Sequence, residues 1–293
     1  MNSRITLYLM SYKGYYILQS ILSEFDLLII DKVISSRDIK VEKDYYDEIR
    51  DLSTSSGIQF FDRNDRFVVD TPYVIAISWR WLIQTKSKLI ILHDSLLPRY
   101  RGYSPLVNCL INNENSVGVT AILANEEYDT GDIIEQRELK ITYPIKIFEV
   151  IKNTTPLYYE IVKVLLDKIL NGFRLNTKKQ NEKEVSYSLW LDDDDYVINW
   201  GKDSYYIKRF IDAVGFPYLG ASSYMGNRKV RIMEAEIFDD LKIENRAPGK
   251  VIFVKKGNPV VVCGKGLLLI TKIIEESTGN IIFPIKKIRL RFR

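Results

Sequence analysis

One histidine, His93, supplies all the imidazole in 293 residues. Zinc sites built on two or three histidines, and the HExxH helix of a metalloprotease, are therefore excluded. No metal is expected. If imidazole chemistry occurs here, it occurs at His93. Cysteine is nearly as scarce. Cys109 and Cys263 stand 154 positions apart, form no CxxC pattern and lie in apolar stretches, which predicts buried free thiols in a reducing compartment. Long apolar runs are missing too. Stretches such as Leu27 to Ile30 and Gly266 to Ile270 fall far short of the roughly 18–20 residues that span a bilayer. Met1-Asn2-Ser3-Arg4 opens no apolar leader, so a cytoplasmic protein without a membrane span is expected. Excess charge is small as well: 42 basic and 38 acidic residues leave +4. That is too mild to argue for nucleic acid, although Lys286-Lys287 through Arg293 concentrates positive charge.

What is present reads as strands alternating with amphipathic helices. Strands are predicted at Ile5 to Met10, Leu27 to Ile34, Ile58 to Phe61, Tyr73 to Ile77, Leu89 to Leu92 and Val117 to Ala124. Helices are predicted at Gly14 to Glu24, Val41 to Leu52, Ser104 to Asn112 and Ile145 to Leu170. Alternation of this kind predicts an α/β fold on a parallel sheet, with ligands gathered at the carboxyl ends of its strands. Asn171 to Glu184 is polar and reads as a linker. Beyond it come a helix around Ser204 to Val214 and short β segments at Lys229 to Ile237, Gly249 to Val254, Pro259 to Val262 and Gly266 to Ile274. Gly264-Lys265-Gly266 reads as a hairpin turn. The expected domains are residues 1–185, with the linker, and a small β-rich unit over residues 186–293.

The apolar strand Leu89-Ile90-Ile91-Leu92 runs directly into His93 and then a loop, Asp94 to Pro105, that carries Arg99 and Arg101. This places the only imidazole at the carboxyl end of a buried strand, where open α/β sheets hold their active sites. The competing reading is a histidine that merely caps the loop backbone. The next strand candidate ends in Asn125-Glu126-Glu127-Tyr128-Asp129-Thr130-Gly131-Asp132. A neighbouring parallel strand brings this loop beside His93, where a carboxylate can orient an imidazole and support its protonation. Asp129 and Asp132 are equally suited to an Asx turn around Gly131.

His93, Ser95-Leu96-Leu97-Pro98, Arg101-Gly102 and Pro105, followed by Gly118-Val119-Thr120 and Asp129-Thr130-Gly131-Asp132, resemble the 10-formyltetrahydrofolate-dependent formyltransferases. That family includes methionyl-tRNA, glycinamide ribonucleotide and sugar-nucleotide enzymes. The interval of 36 positions from His93 to Asp129 agrees with it. Ile198-Asn199-Trp200, Phe216 to Ala221 and Pro248 to Val251 resemble the OB-like C-terminal module of its larger members. The resemblance implies a Rossmann-like formyltransferase domain followed by that module. It also implies that His93 is the acid/base group and that Asp129 holds it. The family's oxyanion donor, an asparagine two positions before the histidine, is replaced here by Ile91. Asn108, ahead of Asn125, is the candidate substitute. An inactive relative is the remaining alternative.

For the cosubstrate 10-formyltetrahydrofolate, the resemblance implies the backbone of Ser78 to Ile83 and of Glu127 to Asp129, with Arg80, Trp81, Leu82, Ile83, Leu97 and Tyr128 as site residues. One of the two tryptophans is expected to be core. Lys13-Gly14 opens the first helix, where N–H groups and a lysine can hold a phosphate. Lys13, Arg80 and Arg101 are candidates for a pyrophosphate, and Tyr218 and Tyr224 for stacking on a base. The run Ser78-Trp79-Arg80-Trp81 and the segments around His93 and Tyr100 look most like the sugar N-formyltransferases. The implied substrate is a nucleotide sugar, a dTDP-linked 4-amino-4,6-dideoxyhexose ahead of the 3-amino isomer, used for surface polysaccharide. The alternatives are a methionyl-tRNA formyltransferase and a non-catalytic folate or nucleotide-sugar binding protein. Apolar β edges in the C-terminal unit suggest a homodimer.

Overall fold

The computed structural model describes residues 4–285 and 288–293. Met1 to Ser3 and the basic pair Lys286-Lys287 lie outside the described residues. The chain divides into two compact units. The first comprises the described residues up to Leu106, Asn115–Ile141 and Glu149–Leu189; the second comprises Val107–Glu114, Thr142–Phe148 and the residues from Trp190 onward.

In the first unit the strands are β1 (Ile5–Leu9), β2 (Ile30–Ser35), β3 (Gln59–Asp62), β4 (Tyr73–Ile77), β5 (Lys88–His93), β6 (Arg101–Gly102), β7 (Ser116–Leu123), β8 (Asp132–Lys140) and β9 (Tyr187–Ser188). Helix α1 is Ser11–Glu24, α2 is Tyr46–Ser55, α3 is Pro105–Ile111 and α4 is Ile147–Leu170. Seven strands form one sheet in the order β3-β2-β1-β4-β5-β7-β8. Its strands from β3 to β5 are parallel, as the alternation predicts. The all-parallel expectation fails at β7, which runs antiparallel to β5, and again at β8, antiparallel to β7. Length supplies the reason. The seven residues of α3 cover only about 10 Å at 1.5 Å per residue, half the roughly 20 Å of β5. The chain does not return to the starting edge before it re-enters the sheet. Strand β8 escaped the sequence reading because Glu135, Arg137 and Glu138 interrupt its apolar pattern.

One sheet face is buried under α1, α2 and α4, where Ile17, Leu18, Ile21, Ile49, Ile161, Leu165 and Ile169 pack on Ile5, Leu7, Leu9 and Ile75. The other face, Tyr8, Ile34, Val74 and Ala76, is covered by the irregular residues Phe67, Val69, Trp79 and Ile83. Helix α2 starts later than its apolar pattern suggests because Tyr45 sits at φ 61°, outside the right-handed helical region.

The second unit carries helix α5 (Ser204–Ala213), capped by the Asp203 carboxylate on the Tyr206 N–H at 2.9 Å. Its strands are β10 (Ala221–Met225), β11 (Arg228–Phe238), β12 (Val251–Lys255), β13 (Asn258–Val262) and β14 (Leu267–Glu275). They form an antiparallel sheet in the order β10-β11-β14-β13-β12, the small β-rich unit expected. Strand β10 was not anticipated, since Ser222 and Ser223 dilute its apolar content. Its signal was the Gly226-Asn227 pair, a two-residue hairpin turn between Met225 and Arg228. Among the described residues no helix is long and apolar enough to cross a membrane.

Candidate active site

His93 closes β5 and is 8% exposed. Register sets its neighbours: Leu92 pairs with Ile77 at the end of β4, and His93 pairs with Thr120 of β7. Its Nε2 lies 2.8 Å from the carbonyl oxygen of Tyr100. A carbonyl can only accept, so Nε2 carries the ring hydrogen in this arrangement. Nδ1 lies 3.4 Å from Asp129 Oδ1, a longer and looser contact. The other Asp129 oxygen accepts from the Gly102 N–H at 2.8 Å. Histidine and aspartate meet although β7 is antiparallel to β5, because the connection from β7 to β8 carries Asp129 to the ring. Asp129 adopts φ 54°, a left-handed conformation that aspartate tolerates.

Both loops are built to make this pair. The Thr120 hydroxyl donates to the Ser95 carbonyl at 2.6 Å and accepts from the Leu97 N–H at 3.2 Å. Gln136 donates to Thr120 Oγ1 and to the Leu97 carbonyl. Gly102 sits at φ 101°, and a Cβ there would lie 2.5 Å from the Ser188 carbonyl, so only glycine lets β6 pair with β9. At Gly131 a Cβ would stand 2.0 Å from the Leu123 carbonyl. The turn role weighed for the two aspartates falls to Asn125, whose Oδ1 accepts from Glu127 N–H and Thr130 Oγ1. Asp132 instead accepts from Thr177.

Two of the candidate phosphate cations are internally committed. Lys13 is 4% exposed, and its ammonium lies 2.5 and 2.6 Å from the two oxygens of Asp94. Tyr158 also donates to Asp94, at 2.5 Å. A lysine read from sequence as an open phosphate ligand is thus a buried, paired charge, as burial requires. Arg101 is 2% exposed and forks onto Gln180 and Glu182. The Glu182 hydrogen bond raises the Arg101 pKa, and the same contact lowers that of Glu182. Arg80 is the more open of the three, with a 43% exposed side chain paired to Asp38 at 2.6 Å.

Among the expected cosubstrate residues, Leu97 is buried, Ile83 packs on the sheet, and Leu82 and Tyr128 are 71% and 66% exposed. Trp79 is the core tryptophan, 4.8 Å edge-on to Tyr8, while Trp81 lies beneath the Arg63 guanidinium. Ile91 packs against the Tyr8, Ile34, Val74 and Ala76 cluster and supplies no donor. Asn108 lies on α3, in the stretch that groups with the second unit. Tyr218 and Tyr224 also belong to that unit; Tyr224 stands on β10, 41% exposed. Sequence reasoning missed Gln180, Glu182 and Ser186, all of which contact the Arg101 loop. No periodicity or motif marks a polar segment whose partners lie some 80 positions away. Among the described residues no cluster of metal-ligating side chains occurs.

Fold and site together describe an open α/β transferase with a histidine–aspartate pair at the carboxyl end of a central strand. Residues 64–154 match the formyl transferase family model, and residues 191–281 match the model of the formyl transferase C-terminal domain. The chain is 30% identical over 213 residues to the methionyl-tRNA formyltransferase of Thermodesulfovibrio yellowstonii, covering 73% of this chain and 67% of that one. It is 34% identical over 215 residues to the methionyl-tRNA formyltransferase of Clostridium tetani, covering 71% and 66%. Among solved structures, the N-formyltransferase of Helicobacter canadensis in complex with folinic acid and dTDP-3-aminofucose shares the fold. Its TM-score is 0.67 at 18% identity, over 92% of this chain and 98% of that one. The chain belongs to the formyl transferase family. It spans less than two thirds of the length of most of the curated relatives it matches. The relatives and the solved structure name different acceptors, so membership defines the class and not the amine.

Proposed function

We propose that this protein moves a formyl group from 10-formyltetrahydrofolate to the primary amine of a nucleotide-linked amino-dideoxysugar. The favoured acceptor is dTDP-4-amino-4,6-dideoxyglucose, followed by the 3-amino isomer. The observation that carries the reading is the contact of His93 with Asp129 inside the matched formyl transferase segment. The cosubstrate supplies the activated formyl carbon. The residues present suit it: the loop after β4 leaves beside His93 with Leu82 exposed, and Tyr103 and Tyr128 flank the Gly102–Asp129 hydrogen bond with rings 6.3 Å apart. Apolar surface of this kind accepts a flat heterocycle, while loop N–H and carbonyl groups are available to its polar edge.

Formyl transfer requires a proton to leave the attacking nitrogen and to reach the departing one. His93 Nδ1 takes up and returns that proton, since Nε2–H is held by the Tyr100 carbonyl. Asp129 keeps negative charge beside the ring and favours its protonated form. Charge developing on the formyl oxygen needs a donor that Ile91 lacks, and Asn108 is the side-chain candidate.

The sugar reading draws on the resemblance around Trp79-Arg80-Trp81 and His93-Asp94-Ser95. It also draws on a net charge of only +4 and on the exposed acidic turn Asp192 to Asp195, both ill suited to tRNA phosphates. The 34% identity to a methionyl-tRNA formyltransferase favours the second reading, formylation of charged initiator tRNA. Incubating the chain with 10-formyltetrahydrofolate and dTDP-linked amino sugars tests the proposal. Formylated sugar is expected. Absence of transfer to any amine, with retained folate or nucleotide-sugar binding, would favour a binding protein instead.

A further inference from the structure

The polar stretch after α4, read from sequence as a linker, is built into the first unit. Lys178 exchanges backbone hydrogen bonds with Ile133, both at 2.8 Å. The Ser186 hydroxyl accepts from the Tyr100 N–H at 2.9 Å, its carbonyl accepts from the Arg101 N–H, and Ser188 receives the Tyr103 N–H. This strap therefore runs alongside the loop whose Tyr100 carbonyl holds His93 and whose Gly102 N–H holds Asp129.

Gln180 is the one side chain of the strap that bonds to both walls of the pair. Its amide nitrogen donates to the carbonyls of Asp129 at 2.7 Å and Gly131 at 2.8 Å. Its amide oxygen accepts two guanidinium N–H groups of Arg101, at 3.0 and 2.9 Å. Arg101 lies between Tyr100 and Gly102 in the chain, so the same amide fixes the backbone on each side of the histidine–aspartate contact. The Asp129 backbone is left-handed, a conformation that persists where surrounding bonds over-determine it.

We propose that Gln180 is a positioning residue that sets the approach of Asp129 to His93 from the strap. This inference rests on the proposed formyl transfer for its kinetic consequence and on geometry alone for its structural one. Gln180→Glu keeps the acceptor for Arg101 and removes both N–H donors; Gln180→Met removes donors and acceptor at similar volume. With two variants, a folding failure in one leaves the other to decide.

The first readout is the NMR signal of the His93 ring, free of overlap because the chain has no other histidine. In both variants the ring resonances are expected to move from the native positions toward those of Asp129→Asn. The second readout is kinetic. A displacement of about 1 Å in a reacting constellation lowers rate about 100-fold, so kcat is expected to fall between tenfold and that value while KM for both substrates stays native. Native ring resonances in a folded variant would overturn the proposal, as would a native kcat. The NMR readout needs no substrate. If the native chain formylates no amine, the functional reading falls while the ring resonances still judge Gln180.

Discussion

His93 has one nitrogen closed by a carbonyl and the other facing a carboxylate across 3.4 Å. This asymmetry assigns the proton traffic to Nδ1. His93→Asn and Asp129→Asn are each expected to lower kcat by about 10²–10⁴-fold, the usual worth of a positioned acid/base group, with unchanged circular dichroism. Near-native turnover in a folded variant would remove that residue from the mechanism. Lys13 is a different kind of charge, bound to Asp94 rather than open to ligand. Lys13→Met leaves a partly buried carboxylate unpaired and is expected to cost about 3 kcal/mol in urea unfolding, the lower end for breaking such a pair. A native unfolding midpoint would show that the ion pair carries little. At this scale sequence reading worked where a residue type has one use. A sole imidazole after an apolar strand had no competitor. It failed for Lys13 and Arg101, because a cation's partner is chosen by tertiary packing, and neither Asp94 nor Gln180 is marked locally.

Elements decide whether the two loops meet. The loop joining β7 to β8 can close only where Gly131 passes the Leu123 carbonyl. Gly131→Ala is expected to destabilise the chain by about 3 kcal/mol, the upper range for an overpacked position, and to abolish the His93–Asp129 contact. A variant with native stability and native activity would show that the loop adapts freely. The strap adds a pH dependence. Arg101 lowers the Glu182 pKa from its ordinary value of 4.5, so this pair contributes stability above the ordinary carboxylate range and loses it as pH falls through the lowered folded value. Melting temperatures of native protein and Glu182→Gln are expected to differ at neutral pH and to converge in acid, below about pH 4. A difference that persists in strong acid would assign the effect to packing. The strands from β1 to β5 were legible because they are continuously apolar. The reversal at β7 and the strap were not, because connection length and side-chain partners, rather than periodicity, create them.

At the scale of the whole molecule, two compact units and two matched family segments define a formyl transferase. Its class was readable from a few motifs within residues 93–132, whereas its acceptor is written in no motif. Curated relatives up to 34% identical are named for methionyl-tRNA, while modest charge and committed cations argue for a smaller, nucleotide-linked amine. A single competition assay addresses this most directly: native chain, 10-formyltetrahydrofolate, a panel of dTDP-linked 3- and 4-amino-dideoxysugars and charged initiator tRNA in one series, with formylated product measured on each. The account predicts formyl on a nucleotide-linked amino sugar and none on methionyl-tRNA. Formyl on methionyl-tRNA and on no sugar would contradict it.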